Sequence, residues 1–276
     1  MKPILKWAGG KGTLVRDIKL FLPEFSEDTY YHEPFFGGGA LFFELEPKKG
    51  TINDINERLI NFYRIVKKSP EKLIDAASEY QKYVNDKDAY YDLREEFNSK
   101  KISKLNSAAL FLYFNKTSYN GLYRENSSGQ FNVPIGRYKN PVVVNKKRIR
   151  NASKLLKKIK IYCRDYEYVF NLAKEGDICY LDPPYYQENM NNKFTNYSKN
   201  GFTFEDHVRL KKLCEKLNDK GVFFILSNSN TKKIVDIFEE AQFDIGLVTK
   251  KWMISCNASS RKNVKEILVH NISFSK

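Results

Sequence analysis

The residues best equipped for chemistry are Asp182-Pro183-Pro184-Tyr185. They follow an apolar run, residues 178–181, that reads as a short buried strand. Two consecutive prolines fix φ and supply no backbone N–H, so a strand ladder must end there. What remains is a stiff corner carrying a carboxylate, a free carbonyl and an aromatic ring, a set that can hold a ligand in one orientation. A plain strand-to-loop exit would use the same residues, so the corner counts as a site only with companions elsewhere in the chain.

Two glycine-rich segments are candidates. Lys6-Trp7-Ala8-Gly9-Gly10-Lys11-Gly12 leads into a helix-like run over residues 13–21, and reads as a flexible loop whose backbone N–H groups can approach a carboxylate or phosphate. It lacks the Walker spacing Gly-x-x-x-x-Gly-Lys-Ser/Thr, and an ordinary glycine turn beside a surface Trp is the plainer reading. Strand-like residues 29–33 run into Pro34-Phe35-Phe36-Gly37-Gly38-Gly39-Ala40 and a helical stretch over 41–45. Strand, glycine turn and helix is the nucleotide-cradling order of a doubly wound sheet, although the Gly-x-Gly-x-x-Gly fingerprint is absent. A second short strand, 51–53, ends at Asp54, about twenty residues past that turn, where a carboxylate accepts hydrogen bonds from ribose hydroxyls. Asp54 serves equally well as the N-cap of a helix starting near Asn56.

The elements that must position these groups form two textures. Residues 57–115 carry apolar side chains at helical spacing (Leu59, Ile60, Tyr63, Val66, then Leu105, Ala108, Ala109, Leu112) with no strand-like alternation, and read as an inserted helical subdomain. It runs into residues 117–138, where an Asn-Ser-Ser-Gly centre between short aromatic segments reads as a hairpin with a polar turn. Its Arg124, Arg137 and aromatics suit entry into a nucleic-acid groove. Residues 126–164 contain no acidic residue and eleven Lys or Arg, which favours phosphate contact over a merely solvated face, including along a helix at 145–158. Strand–helix alternation then returns: strands at 158–163 and 177–181 with a helix at 166–173, and a helix at 204–218. A strand at 221–226 ends at Ser227-Asn228-Ser229-Asn230, and Thr231 caps a helix running to Phe238. Strands at 243–248 and 264–271 pair most simply as an antiparallel unit. The Asn-rich loop 188–201 has the length at which loops tend to be functional.

A chain of 276 residues fits one large domain with a sizeable insertion, and 42% hydrophobic content supplies a core. The net charge of +14 points to a polyanionic partner, nucleic acid before membrane. Cys163, Cys179, Cys214 and Cys256 are widely separated, as are the three histidines, so neither a metal site nor a disulfide framework is expected. Cys163 and Cys179 read as small buried thiols. The N-terminus lacks a signal-peptide pattern and no apolar run approaches membrane-spanning length, so a cytoplasmic protein is expected.

Taken together, Lys6-Trp7-Ala8-Gly9-Gly10-Lys11, Glu33-Pro34-Phe35-Phe36-Gly37-Gly38-Gly39-Ala40 and Asp182-Pro183-Pro184-Tyr185 resemble, in order and spacing, the Dam-type α-group DNA adenine-N6 methyltransferases that act on GATC. The segment Asn115-Lys116-Thr117-Ser118-Tyr119-Asn120-Gly121-Leu122-Tyr123-Arg124 with Phe131-Asn132-Val133-Pro134 looks like that family's target-reading element. Ser255-Cys256-Asn257 and Lys265-Glu266-Ile267-Leu268 match as well, so the resemblance spans residues 4–271.

The resemblance implies an α/β fold: a doubly wound class I methyltransferase sheet, mostly parallel with the last strand antiparallel. It implies a catalytic domain of residues 1–56 plus 145–276, and a helical target-recognition domain, 57–144, with its hairpin at 118–138. The cofactor is S-adenosylmethionine, held by Trp7, Ala8, Gly9, Lys11, Glu33, Pro34, Phe35, Gly37, Gly39, Ala40, Asp54 and Asp182. The catalytic residues are Asp182, Pro183, Pro184 and Tyr185. Double-stranded DNA is contacted by Lys6, Tyr119, Asn120, Leu122, Arg124, Pro134, Arg137 and Tyr138, with Arg124 as a bidentate guanine reader and Leu122 with Pro134 against a thymine methyl. Tyr119 and Asn120 would fill the gap left by a flipped base, and Arg137 would grip phosphate. No metal is called for, and a monomer is the simplest assembly.

Chemistry makes the corner suitable for such a reaction. The adenine N6 lone pair is delocalised into the ring, so the amine is a poor nucleophile. Hydrogen bonds from N6–H to the Asp182 carboxylate and the Pro183 carbonyl favour a pyramidal nitrogen, with Tyr185 stacked on the base. Positioning carries most of the burden, because the methyl already sits on a good leaving group. An ordinary Asp pKa suits Asp182 to accepting a hydrogen bond better than to removing a proton. An RNA adenine or protein glutamine methyltransferase and a non-catalytic basic nucleic-acid-binding protein remain the alternatives at this point.

Overall fold

The computed structural model describes residues 1–12, 14–186, 202–251 and 263–272. Seven strands form one sheet: β1 (Tyr30–Glu33), β2 (Lys49–Asn53), β3 (Ile159–Tyr162), β4 (Ile178–Leu181), β5 (Phe223–Ser229), β6 (Asp244–Lys251) and β7 (Asn263–His270). Their spatial order is β3-β2-β1-β4-β5-β7-β6, parallel except that β7 runs antiparallel between β5 and β6. This is the expected class I sheet, with the antiparallel pair at its end.

Alternation along the strands explains the two-sided cover. Ile178 and Tyr180 of β4 join one hydrophobic cluster, while Cys179 and Leu181 join a second, so neighbouring side chains point to opposite faces. All four residues are buried, and a strand covered on both faces reads as a continuous apolar run. On the first face lie α1 (Val15–Lys19), α2 (Ala40–Leu45), α3 (Glu57–Lys68), α4 (Pro70–Ser78), α5 (Lys87–Asn98), α6 (Lys104–Thr117) and α7 (Lys146–Leu156). On the second lie α8 (Glu167–Leu172), α9 (Phe204–Asp219) and α10 (Lys232–Glu239).

The inserted helices α3 to α6 begin where the sequence provides caps: Asn56, Asp86 and Ser103 each accept a hydrogen bond from a backbone N–H of the first turn of α3, α5 and α6. Helix α6 is buried all round from Ala108 to Asn115, wrapped by α3, α4 and α5. Its Phe111 and Phe114 join Phe62, Phe97, Tyr123 and Phe131 in an aromatic cluster continuous with Tyr31, Phe36 and Ile52 of the sheet side.

Several local expectations change. The segment 117–138 turns back on itself through only two isolated bridges, Ser118 to Ile135 and Glu125 to Phe131. Two of its aromatics, Tyr123 and Phe131, are buried in the helical core and cannot enter a groove, because packing against Phe111 and Phe114 captures them. Strand β5 continues through Ser227 and Asn228 to Ser229; the polar pair stays buried by bonding to Tyr180 and His207 respectively. Thr231 occupies the N-cap position of α10, but its hydroxyl makes no capping bond. Cys163 is half-buried just beyond β3, whereas Cys179 is buried as expected. Helix α1 is shorter than the run at 13–21. The Asn-rich loop 188–201 and Ser255-Cys256-Asn257 lie outside the described residues. Among the described residues, no helix is long and apolar enough to cross a membrane.

Candidate active site

Strands β1 and β4 lie side by side while the chain departs from them in opposite directions, which opens a crevice at their carboxyl ends. The loops leaving β1, β2 and β3 are tied together there by one buried side chain. Asn53 Nδ2 donates to the carbonyls of Pro34 and Arg164, both at 3.0 Å, and Asn53 Oδ1 accepts the Arg164 N–H at 2.9 Å. Gly37 adopts φ +49°, and a Cβ on it would lie 2.6 Å from Trp7 Cδ1, so only glycine lets the indole close on the turn. Asp54 accepts the N–H groups of Gly37 and Asn56, each at 2.9 Å. The N-cap of α3 is Asn56, not Asp54: its Oδ1 takes the Leu59 N–H at 2.9 Å, because Asp54 sits two residues too early and its carboxylate is turned towards the glycine turn. Burial raises the Asp54 pKa, against the opposing pull of the Asn56 and Gly37 N–H groups.

At the Asp182-Pro183-Pro184-Tyr185 corner the side chains meet Lys11 of the first glycine segment and Glu266 of β7. Lys11 is 2% exposed, and its ammonium lies 2.9 Å from Asp182 Oδ1, 3.2 Å from the Gly9 carbonyl and 3.6 Å from Glu266 Oε2. The same ammonium stands 4.1 Å from the centre of the Tyr185 ring. The Tyr185 hydroxyl donates to Glu266 Oε2 at 2.7 Å. Burial, then the negative charges of Asp182 and Glu266, push the Tyr185 hydroxyl well above the ordinary tyrosine range, so it is a donor at neutral pH. Glu33 is buried as well, and burial raises its carboxyl despite the bond donated by the Tyr31 hydroxyl at 2.8 Å.

All sixteen of these assignments, the twelve cofactor positions and the four corner residues (Asp182 counted in both), line one cavity of about 470 Å³. Its wall is completed by aromatic rings: Phe35 lies 4.9 Å from Tyr166 and 5.9 Å from Phe202, centre to centre. Sequence reasoning missed Asn53, Asp165, Tyr166, Phe202 and Asp206, which also line it, and gave Glu266 no role. Asp165 follows β3 as Asp54 follows β2, a positional parallel that was there to be read. Glu266 stood out only as an acid beside the apolar run Ile267-Leu268-Val269.

The DNA-contact candidates gather on a neighbouring surface. Tyr119, Asn120, Arg124, Pro134 and Arg137 are exposed, and Leu122 is half-buried. Arg124 Nε donates to Asn132 Oδ1 at 2.8 Å, and the Tyr119 N–H to the Pro134 carbonyl at 2.9 Å. Lys6 reaches Tyr138, with its ammonium 4.7 Å from the ring centre. Asn115 on α6 pins the backbone of Lys6 from both sides, at 2.9 and 2.7 Å. Lys6 and Tyr138 also line a smaller cavity of about 310 Å³ with Lys116 and Arg148. Burial, then the nearby charges of Lys6 and Arg148, lower the Lys116 pKa to about 8. Not every cation of the basic stretch faces solvent anions: Arg150 is engaged by Glu71 in a two-pronged pair at 2.8 and 2.7 Å.

A glycine turn after β1, an acid after β2 and a carboxylate corner after β4, on a sheet in this order, define a class I methyltransferase site. Residues 7–255 match the family of D12 class N6 adenine-specific DNA methyltransferases. The chain is 41% identical over 276 residues to the type II methyltransferase M1.LlaDCHI of Lactococcus lactis subsp. cremoris, covering 98% of this chain and 95% of that protein. It is 41% identical to the type II methyltransferase M.MjaIII of Methanocaldococcus jannaschii, covering 98% and 99%. It is 36% identical to the DNA adenine methylase of Escherichia coli K12, covering 97% and 94%. The chain belongs to the D12 class of N6 adenine-specific DNA methyltransferases, an enzyme family whose methyl donor is S-adenosylmethionine. The cavity fits that donor in kind: Asp54 offers acceptors for hydroxyls, the Phe35–Tyr166–Phe202 wall suits a purine, and the volume lies in the range of small-ligand sites.

Proposed function

We propose that this enzyme methylates adenine N6 within GATC in double-stranded DNA, and that the target base leaves the helix to reach Asp182 and Tyr185. The observation that carries the reading is the depth of the corner. The Asp182 carboxylate and the Tyr185 ring line a walled cavity beside residues that are 2% exposed, Lys11 and Glu33, and a base still stacked in a duplex has no way to reach such groups.

S-adenosylmethionine, when bound, supplies the methyl group on a sulfonium sulfur, a good leaving group. The work of the chain is to bind and to aim. Trp7, Ala8, Gly9, Lys11, Glu33, Pro34, Phe35, Gly37, Gly39, Ala40 and Asp54 hold the donor, with Asp54 on its hydroxyls. Asp182 and the Pro183 carbonyl accept the two N6–H bonds, which turns the nitrogen lone pair out of the ring plane, and Pro184 keeps the corner rigid. The Tyr185 ring holds the base by stacking, and the buried site excludes water.

Target choice resides on the surface at 118–138. Arg124, steadied by Asn132, reads guanine; Leu122 and Pro134 contact the thymine methyl; Tyr119 and Asn120 fill the vacated space; Lys6 and Tyr138 complete base contacts and Arg137 grips phosphate. Residues 57–144 then serve as the reading module, and 1–56 with 145–276 as the catalytic one, acting as a monomer in the cytoplasm. The test is methyl incorporation from labelled donor into GATC duplexes, single-base variants of that sequence, and RNA. Labelling confined to GATC adenine is expected; equal labelling of the variants overturns the GATC assignment, and labelling of RNA overturns the restriction to DNA.

A further inference from the structure

The seat assigned to the target base is already taken by a side chain of the protein. The Lys11 ammonium makes a hydrogen-bond-length contact of 2.9 Å with Asp182 Oδ1 and lies 4.1 Å from the centre of the Tyr185 ring. These are the acceptor and the aromatic face that the amino group and ring of an extruded adenine require. An ammonium 4.1 Å over the ring leaves no room for a base stacked on that face, so base entry there demands that the ammonium move.

Glu266 offers the place for it to go. Its Oε2 is 3.6 Å from the same ammonium, less than an ångström beyond a direct charged hydrogen bond at about 2.8 Å. It is 3% exposed and is carried on β7, where it pairs with Ser229 of β5 on one side and Val248 of β6 on the other, so its backbone is fixed. The same oxygen receives the Tyr185 hydroxyl at 2.7 Å and thereby also sets the ring that the base must stack on. Gly9 at φ +77°, Gly10 and Gly12 flank Lys11 and permit a small swing of its backbone. A short transfer from one carboxylate to the other keeps the charge inside the site.

We propose that Glu266 is a positioning residue of this enzyme: it fixes Tyr185 and receives the Lys11 ammonium when the target adenine takes Asp182. Lys11 is the stand-in for the base in the DNA-free protein. This rests on the base-extrusion reading above.

The experiment uses duplexes with 2-aminopurine at the target adenine, titrated with enzyme with and without S-adenosylhomocysteine, so that fluorescence reports extrusion rather than turnover. Wild type brightens the probe. Glu266→Gln retains an acceptor for the Tyr185 hydroxyl but no longer a charge for Lys11; its half-maximal signal is expected to need about tenfold more enzyme, equivalent to about 1.4 kcal/mol. Lys11→Met removes the competitor and brightens the probe at lower enzyme concentration than wild type. The double variant responds as Lys11→Met alone does, since no ammonium remains to be received; a Glu266→Gln penalty of the same size in the Lys11→Met background as in wild type would identify Glu266 as structural only and overturn the proposal. A Lys11→Met enzyme that extrudes the base less well than wild type also overturns it, and this arm stands even where Glu266→Gln does not fold. Wild type that never brightens the probe overturns extrusion itself, and a Glu266→Gln signal equal to that of wild type overturns the Lys11 exchange alone.

Discussion

The proposed catalytic corner and the proposed reading surface at 118–138 are met by the two ends of the Lys6–Lys11 segment, Lys11 at Asp182 and Lys6 at Tyr138, and are built on opposite principles. The corner is half-buried and held by many bonds: Asn53 ties three loops, Asp54 ties the glycine turn, and Lys11, Asp182, Tyr185 and Glu266 hold one another. The reading surface has two isolated bridges, one 3₁₀ turn over Tyr119–Gly121, and side chains that project into solvent. Its rigidity is borrowed from beneath, where Tyr123 and Phe131 are packed into the helical core. Chemistry that must exclude water demands a fixed, enclosed site, whereas recognition of a duplex demands groups that can reach out. The two are joined where Asn115 of α6 grips the backbone of Lys6, five residues before Lys11.

Substitutions should therefore fail differently in the two regions. Asp182→Ala is expected to lower kcat by roughly 10²–10³-fold or more, the scale on which loss of a single charge-stabilising group acts, while circular dichroism shows a folded protein. Undiminished methyl incorporation in this variant would remove the corner from the mechanism. Asn53→Ala strips partners from the Pro34 and Arg164 carbonyls and the Arg164 N–H, and should cost about 2–4 kcal/mol in urea unfolding together with weaker donor binding by calorimetry. A loss of stability alone would show that the clamp does not shape the cavity.

Arg124→Ala should lose about 1–3 kcal/mol of discrimination at one base pair with little change in stability. Arg137→Ala, by contrast, should weaken all sequences alike and lower the salt-dependence slope by about one. Equal effects of the two changes on every duplex would erase the division between reading and gripping.

The smallest expected effect concerns His207, buried beside Tyr186 and Phe202 under the corner, whose pKa burial lowers to about 4. The unfolded chain binds this proton more readily than the folded one between pH 6.5 and 4. The stabilisation is thus complete above pH 6.5 and is lost as pH falls towards 4, on the order of 1–3 kcal/mol. His207→Asn should flatten that part of the thermal-stability profile, and an unchanged profile would assign the acid sensitivity to other groups.

Residue pattern was enough to name most strands, because Ile178 to Leu181 and Val222 to Leu226 are too apolar for anything but a covered sheet. It was enough for the antiparallel end pair and for the inserted helices, whose periodic apolar residues are a local signal. It misplaced the end of β5, since Ser227 and Asn228 look like a loop until Tyr180 and His207 are there to satisfy them. It took the aromatics of 117–138 as a group suited to a groove and did not separate the buried Tyr123 and Phe131, because an aromatic in a polar loop carries no mark of the core beneath it.

The chain's own order of residues determined the chemistry available: a proline-stiffened carboxylate, two glycine turns, an acid after β2 and an arginine-bearing loop, each a local feature fixed by backbone sterics and side-chain type. Only the tertiary structure decided their partners. Lys11 and Glu266 are separated by most of the chain, and nothing local predicts that a loop lysine and a strand glutamate share Asp182 and Tyr185. That depends on β7 lying antiparallel beside β5, which carries Glu266 to the same end of the sheet as the corner after β4. Burial then makes the meeting consequential, because charges removed from water must find one another.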